Sequence, residues 1–190
     1  MELQEIRKEI NKIDDAMREL FDARLQCSKE VAKTKMQTGD SVYKPGREKE
    51  IMARFSGEEG RLYRLYVRKV MQLSRFFQYR EFLLAGQKDD AFKKAYGNVG
   101  NEAYVSGACI RVTLETDPDS ETAMSVPEVL SLLGDFGVTI KSLQVQDAQV
   151  VFTVGIPEDA AERQHMELLF YMLYKESVRC EFQTVVSMTK

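Results

Sequence analysis

Residues 3–35 read LQEIRKEINKIDDAMRELFDARLQCSKEVAKTK. Within them Leu3, Ile6, Ile10, Ile13, Met17 and Leu20 recur in alternating steps of three and four, the a/d seam of a helix that packs along another helix. The next positions in that rhythm are Arg24, Cys27 and Val31, so a guanidinium enters the seam. Burying it is costly unless something anionic meets it there. Helix geometry puts Arg24 and Lys35 only about 20° apart around the axis and about 16 Å apart along it, so two long side chains could grip one small ligand. Arg7 is about 25 Å from Arg24 and roughly 100° round the helix. It cannot serve that ligand from the same straight helix: either it is idle, or it completes a site in a second copy of the chain.

The 190 residues, 44% apolar and 30% charged, suffice for one domain or two small ones. No stretch approaches the roughly 18–20 apolar residues of a membrane span, and the N-terminus lacks a signal peptide's pattern. Three widely spaced cysteines, Cys27, Cys109 and Cys180, fit a reduced cytoplasmic setting better than a disulfide framework. With His165 the only histidine and no metal-ligand spacing, a zinc site or a Ser-His-Asp triad is close to excluded. The net charge of −3 is split, with 18 Lys and Arg against 14 Asp and Glu before residue 86 and 9 against 16 after it. A mildly cationic first half fits a small anionic substrate and is too weak for nucleic acid.

Two regimes meet near residue 100. The first is helical: a long helix from about 2 to 37, a turn at Gly39, Asp40 and Ser41, and a short helix opening at Pro45, where the missing N–H does no harm. Ser56, Gly57 and Gly60 break it. A third helix runs to about Leu84, with Leu62, Tyr66, Val70, Leu73, Phe77 and Leu84 on one face. Residues 86–107, rich in glycine, read as a linker with room for a helical turn at 89–96. The second regime alternates: a strand at Ala108–Glu115, then a helix opened by a Ser125–Glu128 capping box and stopped by Gly137. Strands at Val138–Gln146 and Gln149–Ile156 follow, then a helix capped at Asp159 and a last strand at Arg179–Ser187. His165 is expected half-buried on that helix. The order β-α-β-β-α-β predicts a ferredoxin-like unit with both helices on one face of the sheet.

The first 85 residues resemble the all-helical class of chorismate mutase, an intertwined dimer of three-helix chains. The resemblance rests on Leu3-x-x-Ile6-Arg7-x-x-Ile10-x-x-Ile13-Asp14, then Arg24, then Val31-Ala32-x-x-Lys35. It continues through Val42-Tyr43-x-Pro45-x-Arg47-Glu48 and Ser74-x-x-x-Gln78. Singly each residue is an ordinary helix charge or polar group; together they fall in order on one template. The resemblance implies a concerted rearrangement of chorismate to prephenate, with no cofactor, no proton abstraction and no covalent intermediate. By the same resemblance, Arg24 and the partner's Arg7 clamp the two carboxylates, and Lys35 and Gln78 donate to the ether oxygen. Arg47, Glu48 and Ser74 surround the ring hydroxyl and a nearby carboxylate. Lys44 stands where the family often has an acid. The gap from Arg47 to Ser74 is about two helical turns shorter than in the bacterial prototype, which clips the second helix. Since Gln78 does not titrate, a nearly flat rate from about pH 5 to 9 is expected.

Residues 108–190 resemble an ACT domain, an amino-acid-sensing module, through Leu132-Leu133-Gly134-Asp135-Phe136-Gly137-Val138-Thr139-Ile140. This implies a phenylalanine or tyrosine effector, with no binding residues assigned, and pairing through that domain as a route from dimer to tetramer. The expected layout is therefore α + α/β in two domains: a helical chorismate mutase domain at 1–85, a linker at 86–107 and an ACT-like unit at 108–190. Two other readings share the features. One is an isochorismate-pyruvate lyase on the same fold; the other is a non-catalytic amino-acid-sensing dimer that acts on a partner enzyme.

Overall fold

The computed structural model describes residues 2–87, 90–102, 108–117, 119 and 123–186. Helix α1 runs Leu3–Thr38, α2 Pro45–Ala53 and α3 Gly57–Leu84. A capping box closes the start of α1, where Glu5 accepts from the Glu2 N–H at 2.9 Å. Gly39 ends it in the left-handed region at φ 71°, its N–H donating to the Lys35 carbonyl at 2.9 Å. Pro45 opens α2 as the sequence predicts, and α2 is only 9 residues long.

After α3 the chain forms α4 (Asp90–Glu102), β1 (Ala108–Glu115), α5 (Val126–Asp135), β2 (Ile140–Gln146), β3 (Gln149–Gly155), α6 (Ala160–Glu176) and β4 (Arg179–Val186). The four-stranded sheet has the order β2-β3-β1-β4 with antiparallel pairs, the arrangement of a ferredoxin-like unit. Its apolar face is set by register: Ile110, Val112 and Leu114 stand opposite Val154, Phe152 and Val150, all six fully buried. Val129, Leu132 and Leu133 of α5 and Leu169, Met172 and Leu173 of α6 join them in one core. The Ser125–Glu128 box and the Asp159 cap form as their residue types require.

Three sequence expectations change. Residues 90–102 are not linker with a turn but a 13-residue helix. Phe92, Tyr96 and Val99, four and three apart, give α4 an apolar stripe, and Phe92 and Tyr96 meet Phe182 of β4 edge-to-face at ring distances of 6.0 and 5.5 Å. On α3 the buried face is not the expected stripe. Leu62, Tyr66 and Leu84 are exposed, while Met71, Ser74, Arg75, Phe76, Gln78 and Tyr79 are buried. His165 is exposed rather than half-buried, its ring 5.2 Å from Phe76 and 5.0 Å from Phe136. The predicted end of β4, Ser187, lies outside the described residues.

The two regimes are not separate bodies. Phe76 and Tyr79 of α3 meet Phe136 and Tyr171 at ring distances of 4.4 and 5.6 Å, and one buried cluster includes residues from both halves. The α1 seam, by contrast, is bare. Leu3, Ile6, Ile10, Ile13, Met17 and Leu20 are 40–72% exposed, and the buried residues of this helix are Ser28 and Ala32. Among the described residues no helix is long and apolar enough to cross a membrane.

Candidate active site

Ser28 and Ala32 lie on the same face of α1 as Arg24 and Lys35, and their small side chains let α1 pack against α3 between the two cations. Arg24 is half-buried there, and its Nη1 donates to the Val70 carbonyl of α3 at 3.3 Å. Ser74 Oγ donates to the same carbonyl at 2.8 Å, so one oxygen brings Arg24 and Ser74 together. One turn on, Gln78 Nε2 donates to the Ser74 carbonyl at 3.3 Å. Gln78 is only 7% exposed, and its Oε1 has no hydrogen-bond partner. A buried amide with an unused end is costly unless a ligand meets it. Rotation of the amide by 180° exchanges Oε1 and Nε2, so that end can accept or donate. Lys35 Nζ donates to the Val42 carbonyl at 2.9 Å, leaving further N–H donors uncommitted.

Both cations are held against burial, which pushes the Arg24 and Lys35 values down. Glu48 opposes the shift at Arg24, and Asp40 leads the opposition at Lys35, with Glu48 contributing. Arg24, Lys35, Ser74, Gln78 and Glu48 thus form one neighbourhood, with two partly desolvated cations suited to a small anion. Arg47 is exposed and pairs with Glu50 at 2.8 Å, and it lines a cavity of about 660 Å³ together with Lys35 and Lys44. Lys44 points to Asp40 at 2.5 Å. Arg7 is exposed near the far end of α1.

Two residues that sequence reading passes over dominate the buried charge here. Arg75 of α3 bridges two carboxylates, its Nη1 bonded to Glu48 and its Nε 3.0 and 3.2 Å from Glu176 Oε1 and Oε2. Side-chain exposures are 5% for Arg75, 17% for Glu48 and 0% for Glu176. The Arg75 guanidinium also sits 4.5 Å over the Tyr43 ring. Burial would lower the Arg75 value, but Glu176 and Glu48 together raise it above the usual range. The Glu176 carboxyl is pushed up to about 7 by burial, against the pull of Arg75. A signal was available in the sequence. Arg75 interrupts the row Met71–Arg75–Tyr79, and Glu176 extends the core row through Leu169 and Met172, so each apolar row carries one charge of opposite sign.

On the side of this bridge facing the C-terminal unit lies a cavity of about 660 Å³, lined by Pro45, Glu48, Met52, Leu65, Arg75 and Ser125 among others. Among the described residues no group of three or more His, Cys, Asp or Glu is placed to hold a metal ion.

The fold and this neighbourhood define a helical segment that carries two half-buried cations beside a buried amide. Residues 6–78 match the family model described as chorismate mutase type II. The match covers less than half of the 190-residue chain but spans Arg7, Arg24, Lys35, Lys44, Arg47, Glu48, Ser74 and Gln78. No curated protein and no solved structure matches the chain.

Proposed function

We propose that the protein converts chorismate to prephenate, with the C-terminal unit acting as an ACT-like sensor of an aromatic amino acid. The observation that carries the reading is the shared neighbourhood of Arg24, Lys35, Ser74 and the unsatisfied Gln78 amide inside the matched family segment. A [3,3] rearrangement needs no proton transfer. It needs the substrate held in its compact conformer and the negative charge growing on the breaking ether oxygen stabilised. Arg24 holds one carboxylate and the partner's Arg7 the other. Lys35 and the rotated Gln78 amide donate to the ether oxygen, while Glu48 accepts from the ring hydroxyl, and Ser74, Arg47 and Lys44 border the same substrate. In the test, purified protein consumes chorismate, followed by its absorbance, without added cofactor or metal. No consumption, or salicylate and pyruvate formed from isochorismate instead, would overturn the reading.

The second copy is part of the site. Six large apolar side chains stand bare along α1, and each contributes about 1.5–3 kcal/mol when fully buried. Ile10→Asp combined with Ile13→Asp is expected to turn a dimer into a monomer in sedimentation velocity. Turnover should fall with it, since Arg7 then has no site to enter. A wild-type monomer with full activity would remove the shared pocket.

The non-catalytic sensor reading has one observation in its favour. On the 9-residue α2, Arg47 faces solvent and Glu48 is already engaged by Arg75. Micromolar binding of phenylalanine or tyrosine without chorismate turnover would favour it.

A further inference from the structure

We infer that Glu176, the last residue of α6, is a positioning residue for the reaction: through Arg75 it sets where the Glu48 carboxylate stands, so the C-terminal unit builds part of the substrate site. The inference rests on the proposal that Glu48 contacts substrate.

Geometry supports it in three ways. Arg75 approaches its two carboxylates with different nitrogens, Nε toward Glu176 and Nη1 toward Glu48, so Glu176 fixes the orientation of the plane that Glu48 must match. The neighbouring cavity leaves part of the bridge without packing support, so hydrogen bonds and the Tyr43 ring hold Arg75 in place. Glu176 itself is anchored twice. Tyr79 donates to its carboxylate, and its backbone carbonyl accepts from the Met124 N–H at 2.6 Å, tying the end of α6 to the segment that enters α5.

The groups facing Glu176 are Arg75 and Tyr79 from α3, Glu48 from α2, Tyr43 from the segment before α2 and Lys35 from α1. Burial among them pushes the carboxyl up to about 7. Protonation replaces a charge-assisted bond to Arg75 Nε with one roughly half as strong. Arg75 then turns toward Glu48, whose lone pairs are no longer free for the substrate. The flat pH profile expected from the sequence therefore acquires a bend near pH 7, with kcat/KM falling on the acid side.

Two substitutions at Glu176 and two readouts test this. Glu176→Ala is expected to lower kcat/KM for chorismate by about tenfold to a hundredfold, the cost of a misplaced contact. Glu176→Gln keeps a neutral acceptor for Arg75 Nε, as the protonated carboxyl does, so its kcat/KM should hold at the wild type's acid-side level, above that of Glu176→Ala, with no bend near pH 7. The second readout needs no turnover. In carbon-13 NMR of the side-chain carboxyls, assigned with Glu48→Gln, the wild-type Glu48 resonance should carry an inflection near pH 7 that Glu176→Gln removes. A Glu48 resonance indifferent to Glu176→Gln, or unchanged kcat/KM and pH profile in both variants, overturns the inference. A wild type that turns over no chorismate yet shows the shared inflection would defeat the catalytic proposal and leave the coupling of Glu176 to Glu48 standing.

Discussion

Lys35→Ala is expected to lower chorismate turnover by about 10²-fold or more, the usual cost of removing a donor aimed at developing negative charge. Lys35 reaches its position from the last turn of α1, where Gly39 ends the helix and the chain turns back through Val42. The Val42 carbonyl at 2.9 Å steers the ammonium group and uses one of its three donors. Burial pushes the lysine value down, so the cation is under-solvated and gains more from a substrate oxygen than an exposed lysine would. Among the described residues Lys35 forms no ion pair, so its truncation has little reason to unfold the protein. An unchanged melting temperature with the rate lost is therefore the expected pairing. An unchanged rate would remove Lys35 from the mechanism. Lys35→Arg is no substitute: a planar fork in place of a compact ammonium carries its donors to different points.

The part of this site legible in the sequence is the part written along single helices. The Arg24–Lys35 spacing, the Ser74–Gln78 pair and the capping residues at Ser125 and Asp159 depend on neighbours within a few turns. Periodicity fails where a helix has two apolar faces. On α3 the row through Leu62 and Tyr66 is as regular as the row through Met71 and Tyr79. Only packing against α6 and the C-terminal unit decides which is buried in the chain. In α4, Gly97 and weak helix propensity mask the Phe92–Tyr96–Val99 stripe, and tertiary contact with Phe182 overrides them. The Arg75–Glu176 bond joins residues 101 positions apart, a separation at which no local rule pairs two charges.

Arg75→Leu is expected to cost about 3–5 kcal/mol of stability at pH 8, because it strands two carboxylates that share one buried cation. Glu176 is fully buried and Glu48 largely so; without the guanidinium they face each other across low dielectric. Glu176→Gln should cost far less, since it leaves Arg75 and Glu48 as a matched pair. The sign of the pH dependence follows from the raised Glu176 carboxyl. Its folded value, about 7, exceeds the ordinary carboxyl value, so the folded state binds a proton that the unfolded chain releases. Stability from this group is therefore complete below the ordinary carboxyl value and is lost as pH rises through about 7. Removing Arg75 removes the pull that opposes burial, drives the carboxyl further up and widens that window toward alkaline pH. Urea unfolding at pH 5.5 and pH 8 should show Arg75→Leu impaired more at the higher pH. Adding Glu176→Leu to it should restore part of the loss by replacing stranded charge with apolar packing. Equal penalties for Arg75→Leu and Glu176→Gln, or a penalty independent of pH, would mean that the bridge is wet and that Arg75 does not hold the two halves in electrostatic balance.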